Sequence, residues 1–220
     1  LSSNSSILST KKLSTTQKEL LLNSGIGFVE YNVIEIELLD VDFNQNIENA
    51  IFTSKNAVKA LQNLEFEIQN CFCVGENTKK LLEGNGLKVS EIAQNASDLG
   101  EIISKNYKKE QFFFFCGNLR RDELPSILKE NNVKLDEIVV YRTHKKSKKF
   151  DRTFNGILFF SPSAVQSYVS NNIIDNSMVF CIGNTTASEA KKYTNNIIVA
   201  NKPTVENVIV QAVKYFDKRI

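Results

Sequence analysis

Apolar residues along this chain fall into short runs, separated by stretches whose apolar positions recur with helical period. The runs are strand-sized. They predict strands at Ile7–Thr10, Phe28–Leu38, Ala50–Thr53, Cys71–Val74, Lys88–Ile92, Phe112–Cys116, Leu135–Arg142, Gly156–Phe160, Val179–Ile182 and Ile197–Val199. Helices are predicted between most of them. Ser14 and Gln17 have the spacing of a capping box, with a stop near Gly25. Asn56 or Lys55 opens a helix whose apolar face is Ala57, Ala60, Leu61 and Leu64. Further helices are expected over Thr78–Glu83 (ending at Gly84), from a Ser97 cap to Tyr107, from Asp122 to Asn131, and over Ser163–Ser170, Thr185–Tyr193 and Thr204–Phe216. Strands alternating with helices this regularly predict parallel α/β sheets.

The pattern repeats. Phe52–Val58 matches Phe159–Val165, with Ser161 standing 107 residues after Ser54. Cys73–Thr78 matches Cys181–Thr186 at 108. Ile92-Ala93 matches Val199-Ala200, Ser97 matches Thr204, and Val33-Ile34 matches Val140-Tyr141, all at 107. Constant spacing over separate segments predicts two equivalent halves of about 107 residues. Two connections, Leu39–Asn49 and Thr143–Asn155, lack a helix and follow the unusually long strands. A long strand with no crossover helix is what a chain needs to leave one sheet for another. The expectation is therefore two parallel-sheet, flavodoxin-like α/β domains. Residues 1–36 and 143–220 form one, and 39–140 the other. Linker strands lie near 34–39 and 138–143.

Composition adds exclusions. The 220 residues are 42% hydrophobic and 24% charged, which is globular composition. The net charge of +2 gives no field that demands nucleic acid or an anionic membrane. No apolar window approaches the length of a membrane span. Leu1–Thr10 has no basic region followed by an apolar stretch, so no secretory signal is expected, and Leu1–Ser6 is given no structural role. Cys71, Cys73, Cys116 and Cys181 sit in apolar runs, as buried reduced thiols of a cytosolic protein do. Cys71 and Cys73 have no second pair and His144 is the only histidine, so no metal site is expected. The basic run Lys145–Lys149 reads as a solvated loop, and Asp40 and Asp42 as solvated linker residues.

Walker A, Gly-x-Gly-x-x-Gly and Gly-x-Ser-x-Gly motifs are absent. What remains is a set of strand-to-helix turns rich in small polar residues. They carry Thr10 and Lys11; Ser54, Lys55 and Asn56; Gly75 and Thr78; Gly117 and Asn118; Ser161 and Ser163; and Thr185 and Thr186. The carboxyl ends of parallel strands face the binding crevice, where free N–H groups and hydroxyls suit carboxylates or phosphates. Each turn taken singly is equally a plain helix cap. Six together favour a polyanionic ligand. Tyr141, near the end of a linker strand, offers a phenol that is protonated at neutral pH. Packing is the other reading of a tyrosine on a strand.

These motifs resemble uroporphyrinogen-III synthase. Phe52–Val58, Val74-Gly75 with Thr78, Cys116–Arg121, Val140-Tyr141, Phe160–Val165, Ile182–Ala187 and Lys202–Glu206 carry the resemblance, which runs from about Ile7 to Phe216. It implies a two-domain α/β enzyme of haem biosynthesis. Such an enzyme cyclises hydroxymethylbilane to uroporphyrinogen III, inverting the last pyrrole ring with loss of water. It further implies no metal or organic cofactor, a small-molecule substrate, no nucleic-acid or membrane partner, a cytoplasmic location and a monomer. Tyr141 falls on the family's catalytically implicated tyrosine. The Ser and Thr positions Ser54, Thr78, Ser161, Ser163, Thr185 and Thr186 match cleft-facing ones. Lys55 and Lys11 depart from the residues more usual in the family. A non-catalytic module binding an anionic tetrapyrrole-like ligand is the alternative.

Overall fold

The computed structural model describes residues 5–41, 46–62 and 66–216. Leu1, Asp42, Leu64 and the other residues outside these ranges are not described. The elements run β1 Ser6–Ser9, α1 Thr15–Leu22, β2 Gly27–Glu30, β3 Ile34–Leu38, β4 Ile47–Phe52, α2 Lys55–Ala60, β5 Ile68–Val74, α3 Glu76–Gly84, β6 Val89–Ala93 and α4 Ala96–Asn106. They continue with β7 Gln111–Gly117, α5 Glu123–Glu130, β8 Lys134–Lys145, β9 Gly156–Phe159, α6 Pro162–Val169, β10 Met178–Cys181, α7 Asn184–Ala190, β11 Ile197–Val199 and α8 Val205–Phe216.

Two sheets form, ordered β11-β10-β9-β1-β2 and β3-β8-β7-β4-β5-β6. Every pair in the first sheet is parallel, as are β8-β7-β4-β5-β6 in the second. The chain divides into two compact units, Leu1–Glu35 with His144–Ile220, and Ile36–Thr143. Each unit buries both faces of its sheet. In the first, Leu8, Ile157, Phe159 and Val179 pack with Val165 and Tyr168 of α6 and with Ala187 and Ala190 of α7. The alternate residues Ile7, Leu158 and Phe180 pack with Leu21 of α1 and with Val208 and Ile209 of α8. In the second, Ile51, Phe72, Phe112 and Phe114 meet Leu99 and Ile103 of α4 and Leu124 and Leu128 of α5. Phe52, Cys71, Cys73 and Phe115 meet α2 and α3 through Ala57, Val58 and Leu82. Burial on both faces explains why these strands are continuous apolar runs rather than alternating ones. All four cysteines are buried free thiols.

The helix starts follow side-chain chemistry. Ser14 and Gln17 make both bonds of the capping box. One start differs from the sequence reading. α4 is capped by Asn95, whose side chain accepts the Asp98 N–H at 2.9 Å, and not by Ser97. α2 opens at Lys55, one of its two expected first residues, with Ser54 as its cap. Asp122 precedes α5 but makes no capping bond, because its carboxylate binds Arg120.

The expected strand Phe28–Leu38 is two strands. β2 lies in the five-stranded sheet and β3 in the six-stranded one. Between them, the Tyr31 N–H donates to the Ser9 carbonyl and the Val33 N–H to the Thr10 carbonyl. Asn32 Oδ1 accepts the Lys12 N–H at 2.7 Å. These bonds hold the break. Ser6, given no role from sequence, opens β1 and pairs with Gly27. The basic run is more than a solvated loop: β8 continues to Lys145, and Lys146 pairs with Glu35 at 3.1 Å.

Candidate functional site

Counting strands within each sheet, the first has the order 2-1-3-4-5, and the parallel strands of the second have the order 3-2-1-4-5. Both are doubly wound orders, in which ligands bind at the carboxyl edge where the winding reverses. That reversal falls between β1 and β9 in the first sheet and between β4 and β7 in the second. Thr10, Lys11, Ser161 and Ser163 flank the first. Ser54, Lys55, Asn56, Gly117 and Asn118 flank the second.

Register aligns the second group closely. Phe52 pairs with Cys73 on one side and Phe115 on the other, and Gly117 pairs with Tyr141. Two residues beyond Phe52, Ser54 is therefore level with Gly75 and Gly117. Tyr141, Gly117, Ser54 and Gly75 make one row across four neighbouring strands, about 14–15 Å long. Thr78 lies just beyond Gly75 and is buried. Gly75 has φ of +81°, a conformation that suits glycine, and its N–H reaches the Ala93 carbonyl at 2.9 Å. Asn118 donates its N–H to the Tyr141 carbonyl at 3.2 Å, and its Oδ1 accepts the Thr143 N–H at 2.8 Å. Lys55 is exposed at the same edge.

Tyr141 is half-buried and hydrogen-bonded to Ser54. Burial pushes its phenol above the usual value near 10, and the Ser54 hydroxyl pulls the other way by favouring the phenolate. The phenol is thus protonated at neutral pH. The Cys116 thiol, pushed up to about 11 by burial, also adjoins Tyr141. Sequence alone treats Cys116 as core only; nothing in the local pattern pairs it with Tyr141, whose strand is a neighbour only in the folded sheet.

The first unit brings Thr10, Lys11, Ser161 and Ser163 together at the edge of adjacent strands, with Thr185 and Thr186 following β10. Their availability differs. Thr10 is 1% exposed and donates its hydroxyl proton to the Leu158 carbonyl at 2.6 Å, so that proton is engaged within the sheet. Thr186 is buried, while Thr185 is exposed. Ser161 caps α6 by accepting the Ala164 N–H at 3.1 Å. Lys11 places its ammonium 5.7 Å from the centre of the Phe160 ring.

A cavity of about 970 Å³ in the first unit, beside Phe150, Phe154 and Tyr168, contains none of these residues. Several of its polar groups are already bonded. Ser177 donates to the Phe154 carbonyl at 2.7 Å and the Asn172 amide donates to Lys148 O at 2.7 Å. Among the described residues, no three or more His, Cys, Asp or Glu side chains are grouped to hold a metal ion. No described helix is long and apolar enough to cross a membrane.

Parallel sheets flanked by eight described helices, with polar turns at both points of winding reversal, define a mixed α/β protein. The particular family follows from comparison: residues 16–209 match the family model described as "Uroporphyrinogen-III synthase HemD", and the chain belongs to that family. It is similar to "Porphyrin biosynthesis protein HemD" of Ruminiclostridium josui, 26% identical over 233 aligned residues. That alignment covers 90% of this chain and 46% of the relative, so the chain spans about half the length of the curated relative it matches. Among solved structures, the fold is similar to that of uroporphyrinogen-III synthetase from Helicobacter pylori. The TM-score is 0.69 at 19% identity, over 96% of this chain and 99% of that one. A mutant uroporphyrinogen III synthase from the extremely thermophilic bacterium Thermus thermophilus gives a TM-score of 0.67 at 11% identity, over 96% and 98%. At such identities these likenesses speak for the fold.

Proposed function

We propose that this chain is a uroporphyrinogen-III synthase, a cyclising lyase that closes hydroxymethylbilane to uroporphyrinogen III with inversion of the last ring and loss of water. The observation that carries the reading is the meeting of Tyr141 with Ser54 at a winding-reversal edge, inside the span that the family model matches. Tyr141 is the general acid. A phenol held protonated by burial gives its proton to a departing hydroxyl in a downhill transfer, since the product, water, is a far weaker acid than a phenol. Gly75, Thr78, Lys55, Asn56 and Asn118, and on the other sheet Lys11, Ser161, Ser163, Thr185 and Thr186, offer amides, hydroxyls and ammonium groups to the substrate's carboxylates, whereas both donors of Thr10 are spent on the Leu158 carbonyl. The enzyme's main task in this reading is to hold the flexible bilane so that the substituted carbon of the last ring attacks.

Two equivalent domains, 1–36 with 143–220 and 39–140, joined through β3 and β8, are part of the same proposal. Support comes from strand order: β11-β10-β9-β1-β2 corresponds position for position to β6-β5-β4-β7-β8, which is what a repeat of about 107 residues calls for. Four buried free thiols support a cytoplasmic setting. The chain acts without a cofactor and as a monomer, which sedimentation of the purified protein tests. Family membership does not favour the non-catalytic alternative.

The deciding experiment supplies freshly made hydroxymethylbilane and separates the oxidised porphyrin products by isomer. Type III product is expected. Type I alone would refute the reading. Tyr141→Phe is expected to lower kcat by roughly 10²-fold, with the protein still folded by circular dichroism; an unchanged rate would remove Tyr141 from the reaction.

A further inference from the structure

We propose that Ser54 and Gly117 act on Tyr141 and not on the substrate: they are positioning residues that set where the phenol stands and which way its proton points. This rests on the reading above and reassigns two residues that the sequence places among the polar, ligand-facing turns.

Three observations converge. The first is a slip in register. Cys116 pairs with Val139, but the next residue, Gly117, pairs with Tyr141, so β8 carries Val140 as an extra residue. In an unbroken strand Val140 and Tyr141 would face opposite sides of the sheet. Here both face the cluster that contains Phe52 and Phe115. Such bulges re-aim a side chain. The second is the glycine. A Cβ at Gly117 would stand 2.8 Å from the Tyr141 hydroxyl oxygen, and nearer still to two ring carbons. The ring occupies the space a side chain at 117 would need. The third is hydrogen-bond direction. Ser54 Oγ accepts the Asn56 N–H at 3.1 Å. That leaves the Ser54 proton free to donate to the phenol oxygen with which it is bonded. The phenol then accepts from Ser54, and its own proton points elsewhere.

The proton balance is closed. Tyr141 gives its proton to the substrate's hydroxyl oxygen as the carbon–oxygen bond breaks, its electron pair going to oxygen and water leaving. The phenolate stays hydrogen-bonded to Ser54. The substituted carbon that closes the ring carries no hydrogen, so its older bond to the preceding methylene breaks and that methylene rebonds to the free α-carbon of the same ring. The proton returns to the phenolate when this α-carbon loses its hydrogen. No oxidant or reductant is needed.

The test is a double-mutant cycle on the full chain, with rate and isomer read from hydroxymethylbilane. Ser54→Ala should lower kcat by about five- to tenfold with KM within twofold of wild type, and Ser54→Thr should restore most of it. In a Tyr141→Phe background, Ser54→Ala should cost less than a further twofold. Gly117→Ala should lower kcat through the same hydroxyl and likewise add little to Tyr141→Phe; if it fails to fold, the Ser54 cycle decides alone. The proposal is overturned if Ser54→Ala has no effect, if it raises KM at constant kcat, or if the Ser54 and Tyr141 losses multiply. Wild-type protein that yields only type I product would instead sink the underlying reading.

Discussion

Replacing Gly100 with alanine sets two known effects against each other. Gly100 lies inside α4 and faces α5. An alanine there raises helix propensity by about 1 kcal/mol. The added Cβ, however, would stand 2.9 Å from Ile127 Cγ2, 3.1 Å from its Cβ and 3.3 Å from its Cδ1. Two of those three atoms sit at the branch point of a β-branched side chain, which has few rotamers through which to withdraw. Overpacking of this kind costs about 1–3 kcal/mol. The net expectation for Gly100→Ala is a loss of about 0–2 kcal/mol. In urea this is a midpoint lower by up to about 1 M at an ordinary slope for a small domain. Ile127→Ala removes Cγ2 and Cδ1 and leaves the Cβ. In that background the same Gly100→Ala change should cost much less or become stabilising. Equilibrium urea unfolding of the four proteins, followed by circular dichroism, gives the coupling energy directly. A Gly100→Ala protein more stable than wild type, or an identical cost in both backgrounds, would refute the argument that the α4–α5 contact requires glycine.

Two further outcomes are expected. Ser104 Oγ in α4 is buried without a hydrogen-bond partner among the described residues. Ser104→Ala should therefore stabilise the protein by about 1 kcal/mol, from relief of an unsatisfied hydroxyl and a better helix former; a lower unfolding midpoint would contradict it. Glu30 is pushed up by burial, but the Leu13 N–H at 2.9 Å and Lys18 at 2.8 Å outweigh that and hold its carboxyl below the usual range. A lowered carboxyl stabilises the fold above its unfolded pKa, and the contribution is lost as pH falls through the folded value. Glu30→Gln should thus cost about 1 kcal/mol at pH 7, with the gap from wild type closing in acid; an equal gap at pH 3 would rule out the ion pair as its source.

Local rules made much of the architecture readable. The Ser14–Gln17 box, the apolar run Phe112–Cys116 and the Gly25 stop each announce an element through chemistry contained within a few residues. What the chain does over longer distances was less visible. Phe28–Leu38 is uniformly strand-like in composition, yet Tyr31 and Val33 are turned aside by carbonyls of Ser9 and Thr10, some 20 residues away. The same holds at the candidate site. Polar turns mark which edge carries donors, but not which donors are free. Thr10 reads as an available hydroxyl until Leu158, far along the chain, accepts its proton. The bulge at Val140 has no signature in its own sequence, because it is a mismatch between two strands.

The pairing of β1 with β9 has a consequence for synthesis. Ser9 meets Leu158 in a sheet interrupted by about 108 residues of the other unit, 36 through 143. At about 5–20 residues per second, the ribosome needs roughly 5–20 s to make that insertion. The residues of the six-stranded sheet are complete once β8 has emerged, and can assemble during that time. β1, α1 and β2 must wait with apolar surface uncovered until β9 appears, so of the two units the one interrupted by the other stays exposed longer to nascent-chain chaperones and proteases.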